Sequence, residues 1–245
     1  MRSPARSYLR SANLTMLISV KLSSDIQQVF TNEKKSLNHM AHLLQIDASP
    51  RGNRSISRTL GQEFIDKWMA VYPNDTVTYR DLGHHSVPHV TETWIAAAFS
   101  PSLEHTPELA DTIRISDELV DELIAADRYL IATPIFNFTV PSTLKAYIDQ
   151  IVRIGRTVVM DGNNFQGLLQ DKKVLVIASQ GGNYQSGTPD ATLNHLEPYL
   201  RTVFGFMGIT DMSFIYAHSL HKHPEAREEG LASARESIQG AIDRW

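Results

Sequence analysis

Leu44-Gln45-Ile46-Asp47-Ala48-Ser49-Pro50-Arg51-Gly52-Asn53-Arg54-Ser55-Ile56-Ser57 opens as a short apolar run, breaks at Ser49-Pro50 and turns at Gly52-Asn53. Beyond it Ile56, Leu60, Phe64, Trp68 and Val71 recur at spacings of four, four, four and three, one face of a helix. Strand, polar glycine-containing loop and helix, in that order, aim unpaired backbone N–H groups past the end of the strand. The first N–H groups of a helix lack internal partners, and the aligned peptide dipoles favour negative charge there. Ser49, Ser55 and Ser57 add hydroxyl donors that carry no charge, so the loop reads as a phosphate cradle. An N-capped helix, in which Ser55 or Ser57 only satisfies the helix end, fits the same residues. The loop is neither GxxxxGK[ST] nor GxGxxG, since Gly52 is its one glycine.

Outward from this segment the chain alternates between two periods. After the turn at Pro73-Asn74-Asp75, Thr76 to Leu82 is β-branched and alternating, a strand. Residues 83–107 form a long connection with Ser, Pro and His and a short apolar patch at Trp94 and Phe99; long connections in compact domains usually serve function or an interface. Thr106-Pro107-Glu108 opens a helix whose inner stripe is Ile113, Ser116, Leu119, Val120, Leu123 and Ile124. Tyr129 to Thr133 and Val174 to Ala178 are short apolar runs of the kind buried in parallel sheets. A helix is expected over Pro141–Gly155, another over Asp190–Met207 bent at Pro198, a strand over Met212–Ala217 and a closing helix from Pro224 to Trp245. Five strands alternating with helices define an α/β fold, a three-layer sandwich around a parallel sheet. In such sheets ligands sit beyond the carboxyl ends of the strands. The loops after the first, third and fourth strands should therefore hold the site.

Composition narrows the classes. A chain of 245 residues, 42% hydrophobic, suits one domain with an appendage, and no run approaches the roughly 18 apolar residues of a membrane span. The absence of cysteine excludes disulfides, thiolate metal sites and cysteine nucleophiles, and fits a reducing, cytoplasmic setting. Residues 1–40 hold six Lys/Arg against two Asp/Glu, leaving seventeen against twenty-five, a net of −8, for residues 41–245. An acidic body argues against a nucleic-acid partner. Residues 1–40, rich in Ser, Arg and Lys, read as a disordered leader or an over-extended start, and mildly like an organelle transit peptide. The folded domain is expected over residues 41–245. The histidines at 84, 85 and 89 and at 218, 221 and 223 lack an established zinc spacing and read as solvated loop residues, with no metal site.

Two further loops carry chemistry. Pro134-Ile135-Phe136-Asn137-Phe138 places two aromatics and an amide directly after a buried strand, which suits a planar ring with a polar edge and equally suits core packing. Ser179-Gln180-Gly181-Gly182 follows the next strand, and its adjacent glycines let backbone approach a ligand or simply make a tight turn. Tyr184, just beyond, could meet substrate or lie on the surface.

Taken in register over residues 42–245, these loops resemble the FMN-dependent NADH:quinone oxidoreductases, the azoreductases of the flavodoxin-like fold. That family has a Ser-rich first loop, like Ser49 with Ser55-Ile56-Ser57, a Pro-Met-Tyr-Asn-Phe segment, like residues 134–138, and a Ser-x-Gly-Gly loop, like residues 179–182. Leu144 to Asp149 and Phe204 to Ile209 are also similar to it. Phe136 stands where the tyrosine is usual, and Thr157 to Met160 lacks the family's Phe and Tyr. The resemblance implies a five-stranded parallel sheet of order 2-1-3-4-5, an FMN phosphate on the first loop and the flavin ring against residues 135–138 and 179–182. It implies a homodimer and a ping-pong cycle. A reduced nicotinamide (NADH or NADPH) gives hydride to the flavin N5 and leaves, and a quinone or azo compound then takes two electrons. Gly181 and Gly182 would lie at the N1–O2 edge of the ring and Asn137 near N5 or O4, with no catalytic acid or base in the chain. A flavodoxin-type electron carrier or an NAD(P)H:flavin reductase would use the same cofactor site.

Overall fold

The computed structural model describes residues 40–245; the leader expected before them lies outside the described residues. The elements are β1 (His42–Asp47), α1 (Ile56–Val71), β2 (Thr76–Asp81), α2 (Glu92–Phe99), α3 (Pro107–Ala125), β3 (Arg128–Pro134), α4 (Ser142–Ile151), β4 (Val158–Asp161), β5 (Asn164–Gly167), β6 (Lys173–Ser179), α5 (Leu196–Phe206), β7 (Asp211–Ala217) and α6 (Pro224–Ile242). Five of the strands form one parallel sheet of order β2-β1-β3-β6-β7. Setting aside the antiparallel hairpin β4–β5, that is the expected order 2-1-3-4-5.

Both faces of the sheet are covered, which is why its central strands carry little but apolar residues. Leu44, Ile46, Tyr129, Ile131, Val174 and Val176 point to one side and meet α3, α4 and α5. Leu43, Leu130, Leu175 and Ile177 point to the other and meet α1 and α6 through Phe64, Trp68 and Ile238. Neighbours along a strand face opposite ways, so each helical layer receives every second residue.

Several expectations need adjusting. Val71 and Ile124 are exposed, because Val71 closes the last turn of α1 and Ile124 lies on the flank of the α3 stripe. Pro198 does not bend a helix: a 3-10 turn ends at Leu193 and α5 begins at Leu196, which puts Pro198 in the first turn, where an N–H would be unpaired anyway. The long connection contains α2, capped by Thr91 and anchored where Trp94 Nε1–H donates to Gln150 Oε1 at 2.6 Å. Phe99 of that helix is exposed, not packed with Trp94. The hairpin β4–β5 turns at Gly162-Asn163, the two residues between the paired Asp161 and Asn164, with Gly162 at φ 61°.

Candidate active site

The three loops converge. One cleft beyond the carboxyl ends of β1, β3 and β6 is lined by Ser49, Ser55 and Ile56 from the first loop, by Pro134, Ile135 and Phe136 from the second, and by Ser179, Gln180 and Gly181 from the third. Ser57, Asn137, Phe138 and Gly182, expected in the same set, stand one step back from the lining. Ser57 is buried and its hydroxyl lies 3.2 Å from that of Ser55. Asn137 and Phe138 form the tip of a tight turn, and Gly182 is covered by the Tyr184 ring.

The hydroxyls and amides of the first loop form an uncharged anion cradle. Ser55 caps α1, accepting the Arg58 N–H at 3.4 Å, so the capping reading holds. Yet the cap leaves the N–H groups of Ile56 and Ser57 without acceptors among the described residues, and Ile56 lines the cleft. Two unpaired amides and three buried serine hydroxyls at a helix N-terminus can take a phosphate without any charge from the loop.

Behind this loop stands an ionic brace. Arg58 Nε–H donates to the Ser49 carbonyl at 2.7 Å, while its Nη1 donates to Tyr79 Oη and Asp81 Oδ2, both at 2.9 Å. Its Nη2 pairs with Asp81 Oδ1, and Tyr79 O–H donates to Asp47 Oδ2 at 2.8 Å. Burial raises the Asp47 carboxyl above the ordinary carboxylate range, against the pull of Tyr79 and Arg58. For Asp81 burial also opposes charge, but hydrogen bonds from Arg58 and His84 outweigh it and hold the carboxyl well below the usual range. Gly83 makes the close approach possible: a Cβ there would sit 2.1 Å from the Ser49 carbonyl oxygen.

The second loop is a two-residue turn, with Phe136 and Thr139 exchanging backbone hydrogen bonds at 3.0 and 3.1 Å and with Asn137 and Phe138 at φ 47° and 71°. An aromatic residue in the left-handed region is strained, and such strain clusters at functional sites. Phe136 is 40% exposed and Phe138 42%, which overturns the core-packing alternative for both. Phe138 instead meets Tyr184 edge-to-face at 5.8 Å, outside the cleft lining.

In the third loop, the carbonyls of Gln180, Gly181 and Gly182 accept the N–H groups of Leu220, His221 and Ser219, whereas the N–H groups of Gly181 and Gly182 have no acceptor among the described residues. The Gln180 side chain is 1% exposed, yet neither Oε1 nor Nε2 has a partner. A buried unpartnered amide costs about 1–3 kcal/mol, and its place in the cleft wall marks a position for a ligand's polar group. A ligand with a phosphate at one end and a flat ring with a polar edge at the other fits these donors.

Sequence reasoning missed five lining residues: Arg51, Arg54, Leu220, His221 and Arg227. The first two were signalled by their place inside the serine loop. The last three come from the loop after β7 and the first turns of α6, which only the folded sheet brings beside β6.

A parallel sheet of this order, with its strand-end loops closed over a neutral phosphate cradle and an exposed aromatic, defines a flavodoxin-like nucleotide-binding protein. The family model described as "Flavodoxin-like fold" matches residues 41–242. An FMN-dependent NADH:quinone oxidoreductase from Nostoc punctiforme is 56% identical over 206 residues, 84% of this chain and 100% of the relative. One from Pseudomonas aeruginosa is 39% identical over 204 residues, 83% and 94% of the two chains. An FMN-dependent NADH-azoreductase from Bacillus anthracis, solved in complex with FMN, superposes with a TM-score of 0.76 at 26% identity, covering 84% and 99%. The chain belongs to the FMN-dependent NADH:quinone oxidoreductase family of the flavodoxin-like fold.

Proposed function

We propose that residues 41–245 form one FMN-binding domain that oxidises NADH and reduces quinones by two electrons, with azo compounds as further acceptors. The observation that carries this reading is the convergence of three strand-end loops on one cleft that pairs a neutral anion cradle with an unpartnered buried Gln180. The relatives named for the same cofactor and reaction support it.

Bound FMN would supply the redox chemistry, hydride acceptance from a nicotinamide and two-electron reduction of an acceptor in a ping-pong cycle. The chain's residues bind and orient. Ser49, Ser55 and Ser57, with the N–H groups of Ile56 and Ser57, hold the phosphate. Pro134, Ile135 and Phe136, with Asn137 and Phe138 in the turn behind them, would stand against the ring, as would Ser179, Gln180 and Gly181 with Gly182 beside them. The free N–H groups of Gly181 and Gly182 stand ready for the edge where negative charge develops on reduction. No acid or base side chain is required.

A homodimer is part of the proposal. Ile95, Phe99 and Leu103 are exposed, as are Met160, Phe165 and Phe206, the last two with ring centroids 5.4 Å apart, and exposed apolar side chains of this kind suit a subunit interface. Among the described residues no helix is long and apolar enough to cross a membrane. A reducing, cytoplasmic setting is proposed from the absence of cysteine.

The test is direct. Purified protein should show a flavin spectrum and oxidise NADH, compared with NADPH, in steady state with a benzoquinone and an azo dye. A carrier would not turn over, and a flavin reductase would lose its yellow colour on gel filtration. Absence of flavin after reconstitution with FMN would refute the cofactor assignment, and sedimentation as a monomer would refute the dimer.

A further inference from the structure

The cleft has a feature the neutral cradle does not require. Arg51, Arg54 and Arg227 all line it, and none forms an ion pair with a carboxylate among the described residues. Elsewhere most arginines pair, Arg58, Arg80, Arg114, Arg153, Arg156, Arg201 and Arg235 each holding an acidic partner, and only Arg128 and Arg244 among the other described arginines do not. Three free guanidinium groups on one rim stand out further because residues 41–245 carry a net charge of −8. Arg51 and Arg54 are exposed and flank the serines, Arg51 being the residue before the 3-10 turn Gly52–Arg54. Arg227 comes from a different element, the first turns of α6, and its Nη1 donates to the Leu220 carbonyl at 3.1 Å. Cations from two separate elements, unpaired and sharing a cleft with the helix N-terminus, make an electrostatic seat for a multiply charged anion.

We infer that Arg51, Arg54 and Arg227 form a cationic rim that binds the phosphate of FMN, adding charge to a cradle that is itself uncharged. This rests on the proposed FMN site and deepens it: the uncharged cradle fixes where the phosphate sits, and the rim sets how tightly. The phosphate of FMN is a dianion near neutral pH, whereas riboflavin presents the same ring and ribityl chain with no charge. The rim therefore separates the two flavins, and its contribution must weaken as salt screens it.

The test compares FMN and riboflavin titrated into the apoprotein by flavin fluorescence, at low and at high salt. Arg51→Gln, Arg54→Gln and Arg227→Gln should each weaken FMN by about threefold to tenfold, and the triple variant by about a hundredfold. Riboflavin affinity should stay unchanged, and Arg→Lys substitutions should restore part of the loss. FMN affinity in the wild type should fall with salt, and that dependence should flatten in the triple variant. An unchanged FMN dissociation constant in the triple variant overturns the inference. So does an equal loss for riboflavin, which would mean the arginines shape the cleft instead. A raised and salt-dependent KM for NADH at unchanged FMN affinity also overturns it, and assigns the rim to the visiting dinucleotide. A wild-type protein that binds neither flavin would refute the cofactor site itself, a result distinct from flavin binding without salt dependence.

Discussion

Gly83→Ala tests whether the ionic brace behind the first loop governs cofactor binding. A Cβ at this position would lie 2.1 Å from the Ser49 carbonyl oxygen, 2.5 Å from its carbon and 2.6 Å from Arg58 Nη2, where 3.4–4 Å is ordinary contact. Two of these neighbours are backbone, so relief requires the 49–51 segment and the 81–83 segment to separate by about 1 Å or more. Overpacking of this kind costs about 1–3 kcal/mol. Moving the Ser49 carbonyl also stretches its 2.7 Å bond to Arg58 Nε, a charged hydrogen bond contributing roughly 1.5–3 kcal/mol. The apoprotein should therefore lose about 3–5 kcal/mol in urea unfolding, a large share of a domain's total stability. Because Ser49 lines the cradle, a displacement of this size should also weaken FMN by about tenfold to a hundredfold, the loss of one hydrogen bond to a charged group. Fluorescence titration measures the second effect and urea midpoints the first. A variant with wild-type midpoint and wild-type FMN affinity would show that the brace is slack and that the loop is positioned by something else.

Gly205→Ala should go the other way: the residue is helical, nothing lies within 4 Å of its added Cβ, and thermal unfolding should show a gain of about 0.5–1 kcal/mol. Gln180→Met should split two readouts, leaving the apoprotein as stable or up to about 2 kcal/mol more stable because an unpartnered amide is gone, while FMN binds about tenfold less tightly. A loss of apo stability would show that the amide is already satisfied. Asp81 has a folded pKa below its unfolded value of about 3.9, so its contribution is fully present above that value and lost as pH falls through the folded one. Asp47 is raised by burial and changes in the opposite sense on acidification, so in Asp81→Asn the loss of apo stability below about pH 4 should shrink or invert. An acid limb identical to wild type would remove Asp81 from the account.

The fold was legible because its signals are local. Central strands buried on both faces read as apolar runs, and the loops after them carry Ser, Gly and aromatic residues that a core would not choose. The first loop could be read for the same reason, since a helix N-terminus and its serines are neighbours in the chain. The failures have a common physical cause. Leu220, His221 and Arg227 reach the cleft only because β7 lies beside β6, a juxtaposition made by the sheet and invisible to any window of sequence. Gly181 shows the same limit in finer detail. A Cβ there would meet His221 Nδ1 at 2.8 Å, a neighbour supplied by the loop after β7, so Gly181→Val would displace that loop. The Gly162-Asn163 turn was a local signal that went unread, because the β4–β5 hairpin falls outside the sheet that the alternation of strands and helices leads one to seek.

The electrostatics of the first loop are divided in a way that fixes which flank can take an anion. Arg58 is consumed by Asp47, Tyr79, Asp81 and the Ser49 carbonyl, and the neighbouring cleft it lines also holds Glu63 and Asp66. That flank has its cation locked and its carboxylates in excess, so a phosphate approaching it meets repulsion. On the other flank the arginines have no acidic partner among the described residues, and the backbone presents N–H groups without acceptors there. The same short segment thus separates an acid-rich brace from a cation-rich seat. The separation needs Gly83, because only a residue without a side chain lets the brace reach the back of the loop. If the brace positions the cradle while the rim supplies charge, both Gly83→Ala and the triple arginine variant should weaken FMN more than riboflavin, but only the triple variant should flatten the salt dependence of FMN binding. Titrating FMN into both variants at low and at high salt distinguishes position from charge, and a flattened salt dependence in Gly83→Ala would show that the two roles are not separable in this loop.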